Sequence, residues 1–158
     1  MGSGGSSLIG LALVFGGAAH AACAPDTIEL RGPAGVQRFS VEIADSEAER
    51  SKGLMYREHM PASAGMLFIY DHPKHAYFWM KNTLLPLDMV FADATGLVTA
   101  VQSNAVPLDE TPIDGGPGVA VVLEINGGLA KRMGIAPGSV MRSAALNQSV
   151  AAWACDEE

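Results

Sequence analysis

Short segments in which apolar and polar residues alternate dominate the chain, and a period of two is typical of half-buried β-strands. Residues 27–31 and 36–44 flank Gly32-Pro33-Ala34-Gly35 in this way, which predicts an opening hairpin. Two short helices are predicted as well. Ser46 to Glu49 has the spacing of a capping box with Gly53 as a stop, and residues 126–133 end at Gly134. Further strands are predicted at 65–70, 76–82, 87–92, 97–103, 119–125 and 135–141.

The order of these elements shows no βαβ rhythm, because strands follow one another with few helices between them. We therefore expect an α+β, mainly β fold: a single compact domain over residues 22–158 with a curved, barrel-like sheet and two short helices. Residues 105–118, rich in proline and glycine, are predicted to be a long loop. The tail after Arg142 is expected to be loosely held unless Cys155 fixes it.

The N-terminus predicts export. Residues 8–22 form an uncharged apolar run that is too short and too rich in glycine for a membrane span, and Ala19-His20-Ala21 fits signal-peptidase cleavage before Ala22. We expect residues 1–21 to be a signal peptide, although residues 1–7 contain no Lys or Arg and an ordinary N-terminal helix is the alternative. The mature protein is then periplasmic or secreted, with no stable membrane span.

Cys23 and Cys155 are the two cysteines of the chain and lie near its two ends. In an oxidising compartment, a single disulfide between them is the simplest prediction. Lipidation of Cys23 and two free thiols are the alternatives. The net charge of −7 argues against nucleic-acid binding, because phosphate recognition needs clustered Lys and Arg, and no cluster exceeds Lys131-Arg132.

The stretch 75–88, "HAYFWMKNTLLPLD", contains the main candidate site. With strand alternation, Trp79 and Lys81 share one face, which offers an aromatic surface beside a cation to an anionic or sugar-like ligand. Asn82 and Arg57 complete the predicted ligand-binding set. The alternative is structural: Lys81 covers Trp79 and pairs with Asp88 at the sheet edge.

Two carboxylates are candidates for catalysis, although no known catalytic motif is present. Glu124 interrupts a buried strand, and we expect it to be paired, with Arg57 or Lys81, or to accept backbone N–H groups. Glu124 or Asp88 as a base, with Lys81 as a charge stabiliser, defines a hydrolase-like or transferase-like alternative. His72 and His75 are weak candidates for a periplasmic copper or zinc site, because Pro73 interrupts their spacing. We predict no cofactor.

Four segments in order resemble the domain of unknown function 192 family: "GLMYRE" (53–58), "GMLFIY" (65–70), "FWMKNTLLPLDMVFAD" (78–93) and "VLEINGGLAKRMGIAPGSV" (122–140). The resemblance covers about residues 27–142. It implies a compact, strand-rich domain, often exported, and brings no established reaction, substrate or cofactor. The leading hypothesis is a non-enzymatic, exported binding or envelope-associated module, whose partner is an unknown small polar or anionic ligand or an envelope component.

Overall fold

The computed structural model describes residues 1–2 and 23–157, so the signal peptide predicted for residues 1–21 and its cleavage point lie almost wholly outside the described residues. The described chain forms seven strands and two short helices. In chain order they are β1 (Thr27–Gly32), β2 (Gly35–Ala44), α1 (Glu47–Lys52), β3 (Ala64–Phe78), β4 (Leu87–Ala92), β5 (Val98–Ala105), β6 (Ile113–Asn126), α2 (Leu129–Arg132) and β7 (Val140–Arg142). Neither helix is long and apolar enough to cross a membrane.

All seven strands belong to one sheet in the order β5-β4-β6-β3-β2-β1-β7, and only the β2–β3 pair is parallel. The sheet curls until its two outer strands meet. Leu97, just before β5, bridges to Val140 in β7, and the backbone N–H of Val98 donates to the carbonyl of Ser139 at 2.8 Å. This curled half-barrel with two short helices confirms the predicted fold class.

The two faces of the sheet pack into two apolar clusters, and alternation along β6 assigns side chains to them. Val121, Leu123 and Ile125 join the larger cluster, which contains the opening hairpin and β7. Val122 joins the second cluster, between β3, β4 and the segment that follows β3. Glu124 has the same parity as Val122, so its carboxyl group is on the side of the second cluster.

The helix α1 begins as its sequence predicts. Ser46 Oγ accepts the backbone N–H of Glu49 at 3.2 Å, and the Glu49 carboxylate accepts the backbone N–H of Ser46 at 3.1 Å. These two reciprocal bonds form the capping box. Gly53 ends the helix with a φ of 48°, a conformation that favours glycine. The crossover from β2 to β3 therefore carries a short, well-defined helix, and Leu54 just after it joins the second cluster.

The strand predicted at 76–82 is wrong in its second half. The strand β3 ends at Phe78, and residues 79–86 form turns in which the backbone N–H of Met80 donates to the carbonyl of Asp109 at 2.8 Å. Asn82 has a left-handed φ of 52°, which is incompatible with a strand. The polar segment 71–75, which hid the continuity of β3 in the sequence, lies within the strand at register shifts against β6.

The long loop predicted at 105–118 is also partly wrong, because β6 begins at Ile113. Glycine permits this early start. A Cβ on Gly115 would lie 2.4 Å from the ring of Phe91, so only glycine allows β6 to run this close to β4. The sequence pattern of proline and glycine suggested a connector, whereas the backbone pairs with β3 in a bulged ladder.

The predicted disulfide joins Cys23 to Cys155 with a Cα–Cα distance of 5.4 Å. The C-terminal tail is held by more than this bond. Trp153 is buried, with the guanidinium groups of Arg31 and Arg142 at 4.4 and 4.1 Å from its ring. Arg142 also bonds Glu29 at 2.8 Å. Burial acts to raise the pKa of Glu29, but the bonds from Arg38 and Arg142 hold that pKa below its usual value. The tail is therefore a packed strap, as expected if Cys155 fixes it.

Candidate functional site

An open groove with aromatic walls lies between α1 and the C-terminal part of β3. We call it the outer groove; it has a volume of about 500 Å³. The register shifts between residues 69 and 77 of β3 place Tyr70, Tyr77 and Phe78 along it. Its full lining consists of these aromatic residues with two cations, an acid and three others: Glu47, Arg50, Ser51, Phe68, Tyr70, Lys74, Tyr77, Phe78 and Trp79.

Two cations hold the position of Tyr70 in the outer groove. The Arg50 guanidinium lies 5.5 Å and the Lys74 ammonium 4.9 Å from the centre of its ring. Arg50 is itself fixed, because its Nη1 donates to the carbonyl oxygen of Ile69 at 2.8 Å and to that of Asp45. The groove therefore joins aromatic surface to fixed positive charge, a combination suited to polar ligands with a flat face.

Trp79, the main sequence candidate, lines this groove and is 47% exposed. Lys81 Nζ lies 4.9 Å from the centre of the Trp79 ring and 4.0 Å from Glu110 Oε1. Lys81 thus covers Trp79, as the structural alternative expected, but its acidic neighbour is Glu110 and not Asp88. Trp79 and Lys81 are adjacent in space, and Lys81 is outside the outer groove's lining.

Below the outer groove lies a small cavity, which we call the inner recess, with a volume of about 40 Å³. It borders the outer groove, because both are lined by Arg50, Ser51, Phe68, Phe78 and Trp79. The remaining lining is the end of α1 and the turn after it, from Lys52 to Met55, with Thr83 and Glu124. A volume of this size accommodates one or two water molecules or a small polar group.

Glu124 is the one acidic residue that lines the inner recess. The residues beside it on the neighbouring strands are Met66 in β3 and Met89 in β4, so its surroundings in the sheet are apolar. Burial raises the pKa of Glu124 to about 8, and no charged partner counters this effect. Among the described residues, Glu124 makes no side-chain hydrogen bond, which contradicts the expected pairing with Arg57, Lys81 or backbone N–H groups.

Asp88, the second catalytic candidate, is fully buried and bound entirely to backbone. Its Oδ1 accepts the N–H groups of Asn104 at 2.8 Å and Gly128 at 2.9 Å, and its Oδ2 accepts that of Ala130 at 2.8 Å. These three bonds fix the end of β5 and the start of α2 onto β4. The geometry is that of a structural carboxylate.

Arg57 and Asn82, predicted to bind ligand, make internal contacts in the structure. Arg57 Nη2 donates to Glu42 Oε2 at 2.6 Å, and Arg57 Nη1 bonds the other oxygen of the same carboxylate. This pairing lowers the pKa of Glu42 and raises that of Arg57. Asn82 Nδ2 donates to Tyr56 Oη at 2.8 Å, while the Asn82 carbonyl accepts the backbone N–H of Tyr56. Neither Arg57 nor Asn82 lines the outer groove or the inner recess.

His72 and His75, the two metal-site candidates, are not gathered into a metal site in the described part of the chain. His75 Nε2 lies 2.6 Å from Asp114 Oδ1, and its ring stacks on that of Tyr77 at 4.7 Å. The backbone N–H of Gly116 and then His75 lower the pKa of Asp114. His72 is exposed on β3. Within residues 23–157, no group of three His, Cys, Asp or Glu side chains is placed to hold a metal ion.

Sequence reasoning found Trp79 and Glu124 but missed Arg50, Tyr70 and Lys74, which line the outer groove. Arg50 follows the usual placement of a basic residue in the last turn of a helix, so its sequence signal is that of a cap. Tyr70 ends an apolar run and Lys74 lies in a polar one. Predicting that β3 continues through residues 71–75 would have placed Tyr70 and Lys74 on the same strand.

Comparisons with known proteins agree with this fold. A family model described as "Uncharacterized ACR, COG1430" matches residues 28–143. A solved protein of unknown function from Novosphingobium aromaticivorans is similar with 43% sequence identity and a TM-score of 0.72, over 73% of this chain and 82% of that one. A Sinorhizobium meliloti protein described as a "putative transcription regulator" is similar with 40% identity and a TM-score of 0.71, over 77% of this chain and 95% of that one. Comparison with curated proteins gives no significant match.

Proposed function

We propose that this chain, which belongs to the DUF192 family of uncharacterised proteins, is an exported binding module that holds a small polar ligand in the outer groove without transforming it. The observation that carries the proposal is the half-exposed Trp79 in a groove with Tyr70, Tyr77 and Phe78. Aromatic rings provide a large contact area for flat ligands at a small loss of side-chain freedom. Arg50 and Lys74 supply charge to the anionic or hydroxyl-bearing parts of such a ligand.

A binding role is favoured over catalysis by the state of the carboxylates. Asp88 already accepts three backbone N–H groups, so it has no role as a base without breaking the fold. Glu124 lies in the inner recess, whereas Lys81, the proposed charge stabiliser, contacts Trp79 and Glu110 and is outside that recess. General acid–base catalysis needs the two groups within reach of one reacting atom.

One observation favours a second candidate function, a hydrolase-like enzyme that uses Glu124. A carboxyl group whose pKa is raised to about 8 in a recess is a frequent feature of catalytic acids. Screening of the purified mature domain against small esters, glycosides and phosphoesters separates the two functions. Turnover that disappears in Glu124→Gln, with the fold intact, would replace the binding proposal by the enzymatic one.

Export is supported by the disulfide between Cys23 and Cys155, which is compatible with an oxidising compartment. The test is fractionation of bacterial cells that produce the full chain, with a thiol-reactive polymer added before and after reduction. An exported protein is found outside the cytoplasm and gains mass from the polymer only after reduction. Recovery in the cytoplasm with reactive thiols would contradict the proposal.

The description of the Sinorhizobium meliloti protein raises the question of DNA binding. A protein that neutralises phosphates gains affinity from clustered Lys and Arg side chains. This chain has a net charge of −7, with 10 Lys and Arg against 17 Asp and Glu. We therefore do not extend that description to this chain, and the proposed ligand is a small molecule.

The binding proposal is tested with a panel of sugars, carboxylates and amines, whose binding is followed by chemical-shift changes in the isotope-labelled mature domain. Trp79→Ala should abolish, and Lys74→Ala should weaken, the response to the ligands that bind, with the melting temperature nearly unchanged. Leu84→Ala is the control, because Leu84 is 43% exposed and lies outside both cavities. Responses that survive Trp79→Ala, or unfolding of both variants, would show that Trp79 and Lys74 are structural.

A further inference from the structure

The carboxyl group of Glu124 lacks a counter-charge although it is almost fully buried, with 4% of the residue exposed. Buried carboxylates in folded proteins are paired with a cation, hydrogen-bonded or bound to a metal. Among the described residues, Glu124 has none of these partners. Within residues 23–157, the one completely sealed side-chain nitrogen or oxygen without a partner is Trp153 Nε1, so the Glu124 oxygens keep contact with the inner recess.

The cations nearest the inner recess are engaged elsewhere. The Arg50 guanidinium donates to the carbonyl of Ile69 and lies against the Tyr70 ring. Lys52 is exposed, and its charge acts on Glu42, whose pKa it helps Arg57 to lower. Neither Arg50 nor Lys52 offsets the effect of burial on Glu124. A counter-charge that ionises Glu124 near neutral pH therefore has to come from outside the described chain.

Besides Arg50 and Lys52, the walls of the inner recess include aromatic rings and the end of a helix. Phe68, Phe78 and Trp79 contribute aromatic surface, whose faces attract positive charge. Residues 50–55 form the end of α1 and the turn after it, where the negative end of the helix dipole favours positive charge. A carboxyl group, aromatic rings and a helix C-terminus together match an ammonium group with several N–H donors.

We infer that the inner recess binds the protonated primary amine of a ligand whose body lies in the outer groove. The inference rests on the proposed function, since it assigns the ligand's chemical class. The volume of about 40 Å³ suits one ammonium group. A metal ion is less suited, because Glu124 is the one acidic side chain in the recess and divalent cations require several oxygen ligands.

Binding of the ammonium group changes the protonation state of Glu124. Near neutral pH Glu124 carries a proton in the free protein, and the arriving ammonium replaces it, so about one proton leaves to solvent for each ligand bound. The titratable groups packed around the recess are Arg50 and Lys52 on α1 and Tyr70 on β3; Asp88 on β4 is bound to backbone elsewhere. Burial and then Glu124 raise the pKa of Tyr70, while Arg50 opposes them, so Tyr70 stays neutral in this range.

The test compares tyramine with tyrosol, which have the same phenol ring and differ in an ammonium or a hydroxyl group at the end of the side chain. Calorimetry on the mature protein should show tyramine binding at least about tenfold tighter than tyrosol. Its affinity should rise about tenfold or more between about pH 6.5 and 8.5, as Glu124 loses its proton. Glu124→Gln should remove both the preference for tyramine over tyrosol and the pH dependence.

A second measurement needs no variant. Carbon-13 NMR of the Glu124 carboxyl in the wild-type protein should show its pKa falling when tyramine is added and unchanged with tyrosol. Equal affinity of the two probes, absence of tyramine binding, or an unmoved Glu124 resonance each overturns the inference. If Trp79→Ala still abolishes binding of other panel members in those cases, the binding function stands and only the amine assignment fails. If no ligand depends on Trp79, the proposed function fails with it.

Discussion

The Asp88 carboxylate accepts the backbone N–H of Ala130 at 2.8 Å, which joins β4 to the start of α2 across 42 residues of chain. With the N–H groups of Asn104 and Gly128 on its other oxygen, Asp88 organises three segments from a fully buried position. An amide at this position would bring its own N–H₂ group against the same donors. The role of Asp88 is therefore best tested through its effect on the free energy of unfolding.

Asp88→Asn should lower the free energy of unfolding by about 2 to 4 kcal/mol, because at least one buried N–H loses its acceptor. Urea denaturation followed by tryptophan fluorescence measures this change. Asp71→Asn is the matched control, since Asp71 is exposed on β3, and it should change the stability by less than about 0.5 kcal/mol. Equal stability of the two variants would show that Asp88 is not a structural anchor.

The stability of the protein should fall as the pH rises through the range in which Glu124 is protonated in the folded protein but ionised in the unfolded chain. In the unfolded chain this group titrates near its model value of 4.5, whereas in the folded protein its pKa is about 8. Between these values the unfolded state binds fewer protons, so the free energy of unfolding decreases by about 1.4 kcal/mol per pH unit from this group. The loss is complete above the folded-state pKa.

Glu124→Gln should remove this contribution, so the variant gains stability relative to the wild type as the pH is raised from about 5 to 8. Urea denaturation at several pH values gives the difference. Glu110→Gln, an exposed carboxylate near Lys81, should retain the wild-type slope. A Glu124→Gln curve parallel to that of the wild type would mean that Glu124 is ionised normally in the folded protein.

Reduction of the disulfide between Cys23 and Cys155 should destabilise the protein, because a bond that spans 132 residues restricts the unfolded chain strongly. The loss in the free energy of unfolding should reach up to about 4 kcal/mol. Thermal denaturation with and without dithiothreitol measures it. The double variant Cys23→Ser with Cys155→Ser should match the reduced wild type and be insensitive to dithiothreitol; a dithiothreitol effect on that variant would assign the change to something other than the disulfide.

Gly65→Ala should lower the free energy of unfolding by about 1 to 3 kcal/mol, since a Cβ there would lie 2.5 Å from the backbone carbonyl oxygen of Glu124. The contact is with backbone, so β3 and β6 would have to separate. Chemical denaturation checks the value, and Ser63→Ala, at an exposed position just before β3, should change it by less than about 0.5 kcal/mol. An unaltered Gly65→Ala protein would mean that β3 shifts at little cost.

The sequence predicted the fold class and most strands because alternation and turn chemistry are local signals. It failed at residues 76–82 and 105–118 for non-local reasons. Residues 79–86 leave the strand through a hydrogen bond from Met80 to Asp109, whose existence depends on a distant loop. The early start of β6 depends on the fit of Gly115 against Phe91, a close approach that no single segment encodes.

The candidate site was predicted only in part, again because some of the contacts that form it are non-local. Glu124 was visible as a carboxylate inside an apolar run, and Trp79 as an aromatic residue in a polar setting. Their connection was not visible, because the inner recess exists only where α1 packs beside the end of β3. Alternation also predicted that Lys81 lies beside Trp79, and the two side chains are neighbours in the structure. It could not show that Arg57 is bound to Glu42 in β2.

The contact between the two outer strands has a consequence for how the molecule opens. Val98 and Met141 donate backbone hydrogen bonds to Ser139 and Gly96 across it, so at this end neither β5 nor β7 can be peeled away alone. The rest of β5 remains an edge and carries exposed polar residues such as Gln102 and Ser103, which discourage strand addition from another chain. Amide protons at Val98 and Met141 should therefore exchange with solvent only when the whole sheet unfolds. At this contact the first and last strands of the sheet are then as well protected from exchange as its central strands.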